Sequence, residues 1–245
     1  MYIKKTSKIF VLVFIFALLC NVFVTSAYSA ELIKEIIEVE EIEEVSEEEK
    51  KYIALTFDDG PHPEYTEKVL DILEEKNVPA TFFVVGFRAE VHRDTILRMK
   101  KLNCEVGNHT YEHKHLKKIS QQEALTEIRK CNDIIFDITG EYPKIYRPPF
   151  GEIGKGLEKE IAMTKILWTI DSSDWRIKYE ESQVVNNIVP KANKNSIILL
   201  HDFYKATVAA LPEIIDKLQA GGFEFITISE LLKIDNSAGS KFGDS

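Results

Sequence analysis

From Lys51 onward, apolar runs of strand length alternate with stretches of helical periodicity, and no other feature limits the possible folds as much. Strands are expected at 52–57, 80–85, 104–106, 145–147, 166–170, 196–200 and 225–228, and helices at 66–76, 94–102, 121–138, 182–191 and 208–220. This is the pattern of an α/β protein built on a largely parallel sheet. Ser120 followed by Glu123 reads as a capping box opening the third helix, Thr139-Gly140 closes it, and Gly221-Gly222 stops the last. No internal repeat is present. With 245 residues, 44% of them hydrophobic, the chain is long enough for one substantial core and short for two ordinary domains. A single domain over 51–234 is expected, followed by a flexible tail at 235–245.

The first thirty residues carry Lys4, Lys5 and Lys8, an apolar run from Ile9 through Val24, and then small residues, which are the three parts of an export signal. Cleavage after Ala27 or after Ser29 suits a peptidase that selects small side chains. The competing reading is an uncleaved anchor: the run falls just short of the roughly 20 residues of a spanning helix, but thin membranes and flanking residues tolerate some shortfall. Either way the protein is expected to be exported, secreted or tethered to face outward. Residues 31–50 hold ten Glu against two Lys and no Gly or Pro, the composition of a solvated acidic linker. The net charge of the whole chain is −9, without a basic stripe, so nucleic acid is not an expected partner. Outside the signal only Cys104 and Cys131 remain, either as an oxidised pair or as two buried thiols. The sequence says nothing of oligomeric state.

Polar residues suited to chemistry stand just after the expected strands: Asp58 and Asp59, His109 and His113, Arg147, Asp171 and Asp174, and His201. In parallel α/β folds active sites form at the carboxyl ends of strands. Each residue also has a bland reading. Asp before Gly-Pro is good turn chemistry, an Arg before Pro-Pro is a common surface residue, and a Trp is more often core than site. His62, His92 and His115 have no motif that requires them and are expected in loops or at the surface. His109 and His113 lie four apart, so on a helical turn both imidazoles would project from one face toward one ion.

Five ordered motifs decide between these readings: Thr56-Phe57-Asp58-Asp59-Gly60, His109-Thr110-Tyr111-Glu112-His113, Arg147-Pro148-Pro149-Phe150-Gly151, Asp171-Ser172-Ser173-Asp174-Trp175 and Leu199-Leu200-His201. Together they resemble the polysaccharide deacetylase family, also called the NodB-homology or carbohydrate esterase 4 family, over nearly all of residues 51–232. The resemblance implies a distorted (β/α) barrel of about seven strands. It implies Asp58 as general base, Arg147 as the partner that holds its carboxylate, His201 as general acid, and Asp174 as the carboxylate that orients it. Asp59, His109 and His113 become ligands of a divalent metal, zinc first and cobalt or another first-row ion second. The Phe150 amide becomes an oxyanion donor, and Trp175 and Leu199 shape an acetyl pocket.

Two His and one carboxylate also serve non-haem iron oxygenases. Against that reading stand the export signal, the βα pattern, and a second acid and third His that an oxygenase does not need. The function implied is hydrolysis of N-acetyl groups on an amino-sugar polymer, peptidoglycan N-acetylglucosamine foremost. Chitin oligomers and O-acetylated xylan are the alternatives, and a glycan-binding protein that has lost catalysis is the remote one.

Overall fold

The computed structural model describes residues 50–176 and 180–235. The expected signal segment, the acidic linker up to residue 49 and the tail past 235 lie outside the described residues. The described elements belong to one compact unit that begins at Lys51.

Eight strands alternate with seven α-helices among the described residues. They are β1 (Lys51–Asp58), α1 (Tyr65–Lys76), β2 (Thr81–Val84), α2 (Gly86–Val91), α3 (Arg93–Lys101), β3 (Glu105–Asn108), α4 (Gln121–Thr139), β4 (Ile145–Tyr146), β5 (Thr164–Lys165), β6 (Ile170–Asp171), α5 (Glu181–Ile188), β7 (Ser196–His201), α6 (Lys205–Ala220), β8 (Phe223–Phe225) and α7 (Ile228–Ile234). Every pairing is parallel, along the path β5-β4-β3-β2-β1-β7-β6, with β8 beside the start of β1. This curled path of seven strands, clothed by helices, is the expected distorted (β/α) barrel.

β1 is buried continuously from Ile53 to Asp58 because both faces of this parallel strand are covered, and its two-residue period sends alternate side chains to opposite faces. Ile53, Leu55 and Phe57 belong to the core shared with Leu70 and Leu73 of α1 and with Leu211, Ile214 and Ile215 of α6. Ala54 belongs to a separate cluster inside the sheet's curl, with Phe83, Ile145, Ile166 and Ile197. The same alternation turns Thr56 and Asp58 to that inner side, so the strand that builds the core also delivers an acid to its interior end. Burying each large aliphatic side chain stabilises the fold by about 1.5–3 kcal/mol, so a change such as Leu70→Ala costs about 2–5 kcal/mol.

Three expectations need correction. The apolar run at 166–170 is not one strand. Ile166 N bonds to Tyr146 O at 2.9 Å, continuing the β4 side, whereas Thr169 N bonds to Ile197 O at 2.9 Å, on the β7 side. The run changes partners halfway and carries the chain from one end of the sheet to the other. The run at 225–228 stops as strand at Phe225 because Thr227 and Glu230 form a full capping box that starts α7. At α4 only half the box exists: Ser120 accepts from Glu123 N at 3.2 Å, while the Glu123 carboxylate pairs with Lys114. The closing Gly140 does take the left-handed conformation, with φ 76°. Cys104 and Cys131 are both buried free thiols, so they do not pair. No helix among the described residues is long and apolar enough to cross a membrane.

Candidate active site

A cavity of about 440 Å³ opens at the carboxyl ends of the strands. Asp58, Asp59, His109, His113, Phe150, Trp175, Leu199 and His201 line it, and the other two expected residues, Arg147 and Asp174, are buried behind it. The sheet places them in turn: β1 ends in Asp58, β3 leads into His109, β4 into Arg147, β6 into Asp174, and β7 ends in His201.

Arg147 is fully buried and makes four hydrogen bonds. Its Nη1 donates to Asp58 Oδ1 at 2.7 Å and to Thr56 Oγ1 at 2.9 Å, while Nε and Nη2 donate to the carbonyls of Ile166 and Leu167 at 3.3 and 3.0 Å. The guanidinium lies 4.2 Å from the Phe83 ring centroid. A buried charge is tolerated only when paired and hydrogen-bonded, and here carboxylate and guanidinium meet that need for each other. Asp58 is thereby fixed in position.

Asp59, the next residue, meets different neighbours. Its Oδ1 is 3.0 Å from His113 Nε2 and 3.5 Å from His109 Nε2. One ligand atom from each of the three lies within 4.8 Å of the others. His109 Nδ1 is 2.7 Å from the carbonyl of Arg147, which can only accept, so Nδ1 carries the proton and Nε2 presents its lone pair. Asp59 Oδ1 is buried with no hydrogen-bond donor of its own among the described residues. Three electron-pair donors converging on one point, with one oxygen left unsatisfied, fit a divalent cation.

The helical turn expected for His109 and His113 is absent. Residues 109–113 form a loop in which Thr110 and His113 have φ of 65° and 57°. Asn108 supports it, accepting from Thr110 N at 2.7 Å while its amide donates to Ile128 O and Asn132 Oδ1. Asp59 and Phe150 also lie in the left-handed region, at φ 75° and 63°. Non-glycine residues there cost on the order of 1 kcal/mol or more each, and three of them belong to the expected site.

His201 Nδ1 pairs with Asp174 Oδ1 at 2.7 Å, and Asp174 Oδ2 accepts from His201 N at 2.8 Å and from Thr207 Oγ1 at 2.6 Å. Burial would lower the imidazole, but the Asp174 carboxylate outweighs it, with Asp58 and Asp59 adding, and His201 is pushed up to about 9. Leu199 is buried in the cavity wall, whereas Trp175 and Phe150 keep much of their surface exposed. The Phe150 ring packs on His113 and His115 at centroid distances of 5.1 and 4.8 Å.

Residues 46–166 match the polysaccharide deacetylase family. A peptidoglycan-N-acetylglucosamine deacetylase of Bacillus cereus is 37% identical over 192 residues, covering 75% of this chain and 89% of the relative. This chain belongs to the polysaccharide deacetylase family. The peptidoglycan-N-acetylmuramic acid deacetylase PdaC of Bacillus subtilis is 38% identical over 78% of this chain, but the match spans only 41% of that longer protein. The solved structure of PdaC superposes with a TM-score of 0.74 at 38% identity, covering 79% of this chain and 95% of the solved one. A family 4 acetyl xylan esterase from Clostridium thermocellum, solved with a cobalt ion, gives a TM-score of 0.73 at 33% identity, covering 76% and 92%.

Within this polysaccharide deacetylase chain, several site residues have no signal in the sequence. Thr207 reaches Asp174, and Trp168 and Tyr204 line the cavity; Thr56, which reaches Arg147, and Asp171, also in the cavity wall, stand in the quoted motifs but were given no role there. Asp202 is wholly buried beside His201, and burial raises its carboxyl to about 7. His62 was expected only in a loop. Its Nδ1 accepts from the amides of Glu64 and Tyr65 at 3.1 Å each, holding the entry to α1.

Proposed function

We propose that this chain hydrolyses N-acetyl groups on a cell-wall amino-sugar polymer, with peptidoglycan N-acetylglucosamine as substrate and acetate as product. One observation carries the reading: two carboxylates adjacent in sequence have separate partners, Arg147 for Asp58 and the two imidazoles for Asp59, in a cavity that also holds the Asp174–His201 pair.

Asp59, His109 and His113 would hold the divalent ion, zinc or cobalt, which when bound supplies a Lewis acid that acidifies water and polarises an acyl oxygen. Asp58, held by Arg147, takes the proton of the attacking water. The Phe150 amide donates to the oxyanion as the carbonyl becomes tetrahedral, a contribution of several kcal/mol for a fixed donor. His201, protonated at neutral pH through Asp174, gives its proton to the sugar nitrogen as the C–N bond breaks. Leu199 and Trp175 enclose the acetyl methyl. No covalent intermediate with the protein is needed.

The peptidoglycan assignment draws support from the names of the relatives and from the pattern of residues 1–30, which resembles an export signal and would put the domain outside the cell or tethered to face outward. The acetyl xylan esterase likeness keeps an O-acetylated substrate as the second reading. Incubating the purified, zinc-loaded protein with peptidoglycan fragments, chitin oligomers and acetylated xylan, and following acetate release and loss of acetyl mass, separates them. Acetate from peptidoglycan fragments is expected. Acetate from xylan alone would overturn the polymer assignment, and none from any polymer would overturn the activity.

A further inference from the structure

Asp202 is a fully buried carboxylate that the proposed chemistry does not use. It follows His201 at the end of β7, yet its contacts lie in the turn after β1. The main chain of Gly60 packs onto it so closely that a Cβ at position 60 would fall 2.1 Å from Asp202 Oδ2. The same oxygen accepts from Thr66 Oγ1 at 2.6 Å, and that hydroxyl in turn accepts from His62 N at 2.7 Å. Gly60 O accepts from Val85 N at 2.9 Å on the far side of the turn. The turn that begins with Asp59 is therefore held between the end of β2 and a wedge at the end of β7. Asp59 itself stands at φ 75°, a conformation its surroundings must impose.

We propose that Asp202 is a positioning residue: acting through Gly60 and the Thr66–His62 link, it holds the turn that aims the Asp59 carboxylate at His109 and His113. It makes the ligand triad a property of the joined ends of β1 and β7, so the same strand end carries His201 into the cavity and shapes the metal site beside it. The inference rests on the metal reading of Asp59, His109 and His113.

The test is zinc affinity of the full-length protein, by competition with a chelating dye, together with thermal melts of the metal-free form. Supporting groups behind metal ligands are worth about 10- to 100-fold in affinity. Asp202→Ala and Thr66→Val, which breaks the link while keeping side-chain volume, are each expected to weaken zinc binding by at least about tenfold in a folded protein. Asp202→Asn keeps an oxygen for Thr66 and is expected to stay within about threefold of wild type. Wild-type zinc affinity in folded Thr66→Val or Asp202→Ala overturns the inference, as does an Asp202→Asn protein as weak as Asp202→Ala. If Asp202→Ala does not fold, Thr66→Val decides. A wild-type chain that binds no zinc would instead sink the metal reading itself.

Discussion

Asp58 and His201 are register partners on the neighbouring parallel strands β1 and β7. Adjacent strands run about 4.8 Å apart, so the sheet itself sets the two groups proposed to move protons side by side on its inner face. Arg147 holds one and Asp174 the other.

The first prediction concerns pH. Asp174 raises His201 above its ordinary value to about 9. A raised imidazole stabilises the fold fully below its unfolded value of about 6.5, and that contribution is lost as pH rises through about 9. Turnover is expected to fall over the same upper range as the general acid loses its proton. Asp174→Asn should move this alkaline limb to lower pH; a pH–rate profile with the limb unmoved would contradict the assignment.

Arg147 is expected to be a stability residue as well as a site residue. Arg147→Ala leaves Asp58 buried without its partner and strips a donor from the Ile166 and Leu167 carbonyls. Removing one partner of a buried pair costs about 3–5 kcal/mol. Urea unfolding measures this, and a loss below about 1 kcal/mol would show that the pair is not sealed from water.

Metal dependence should appear in both activity and stability. Chelation is expected to abolish turnover, and zinc or cobalt to restore it. Zinc at one hundred times its Kd should add about 2.7 kcal/mol to unfolding free energy by mass action alone. Equal melts with and without zinc would contradict the triad.

A chain lacking residues 1–50 should deacetylate as the full chain does, because every residue of the cavity follows Lys51. Activity regained only by restoring 31–50 would assign that acidic stretch a role it lacks here.

The chemistry of this site was legible before its geometry. Asp58, His113 and His201 stand in motifs whose resemblance to the family implies their roles; the βα alternation pointed to a largely parallel α/β sheet, and the resemblance to its closure as a distorted barrel. Register and partner exchange were not legible. The apolar run at 166–170 looks like one strand because periodicity cannot report that Ile166 bonds to one edge and Thr169 to another. His109 and His113 reach one point through a loop with two left-handed residues, where spacing alone suggested a helix. Asp202 gave no sign because its partners, Gly60 and Thr66, lie more than 130 positions away.

The division of labour between Asp58 and Asp59 is the claim on which the account depends, and amide substitutions at each, assayed together for bound metal and turnover, test it most directly. Asp59→Asn should lose metal, since a neutral amide is a poorer ligand for a divalent cation. Asp58→Asn should keep its metal and fold while turnover falls by at least about 100-fold. Equal metal content in both variants with similar modest losses of stability, or near-normal turnover in Asp58→Asn, would contradict it.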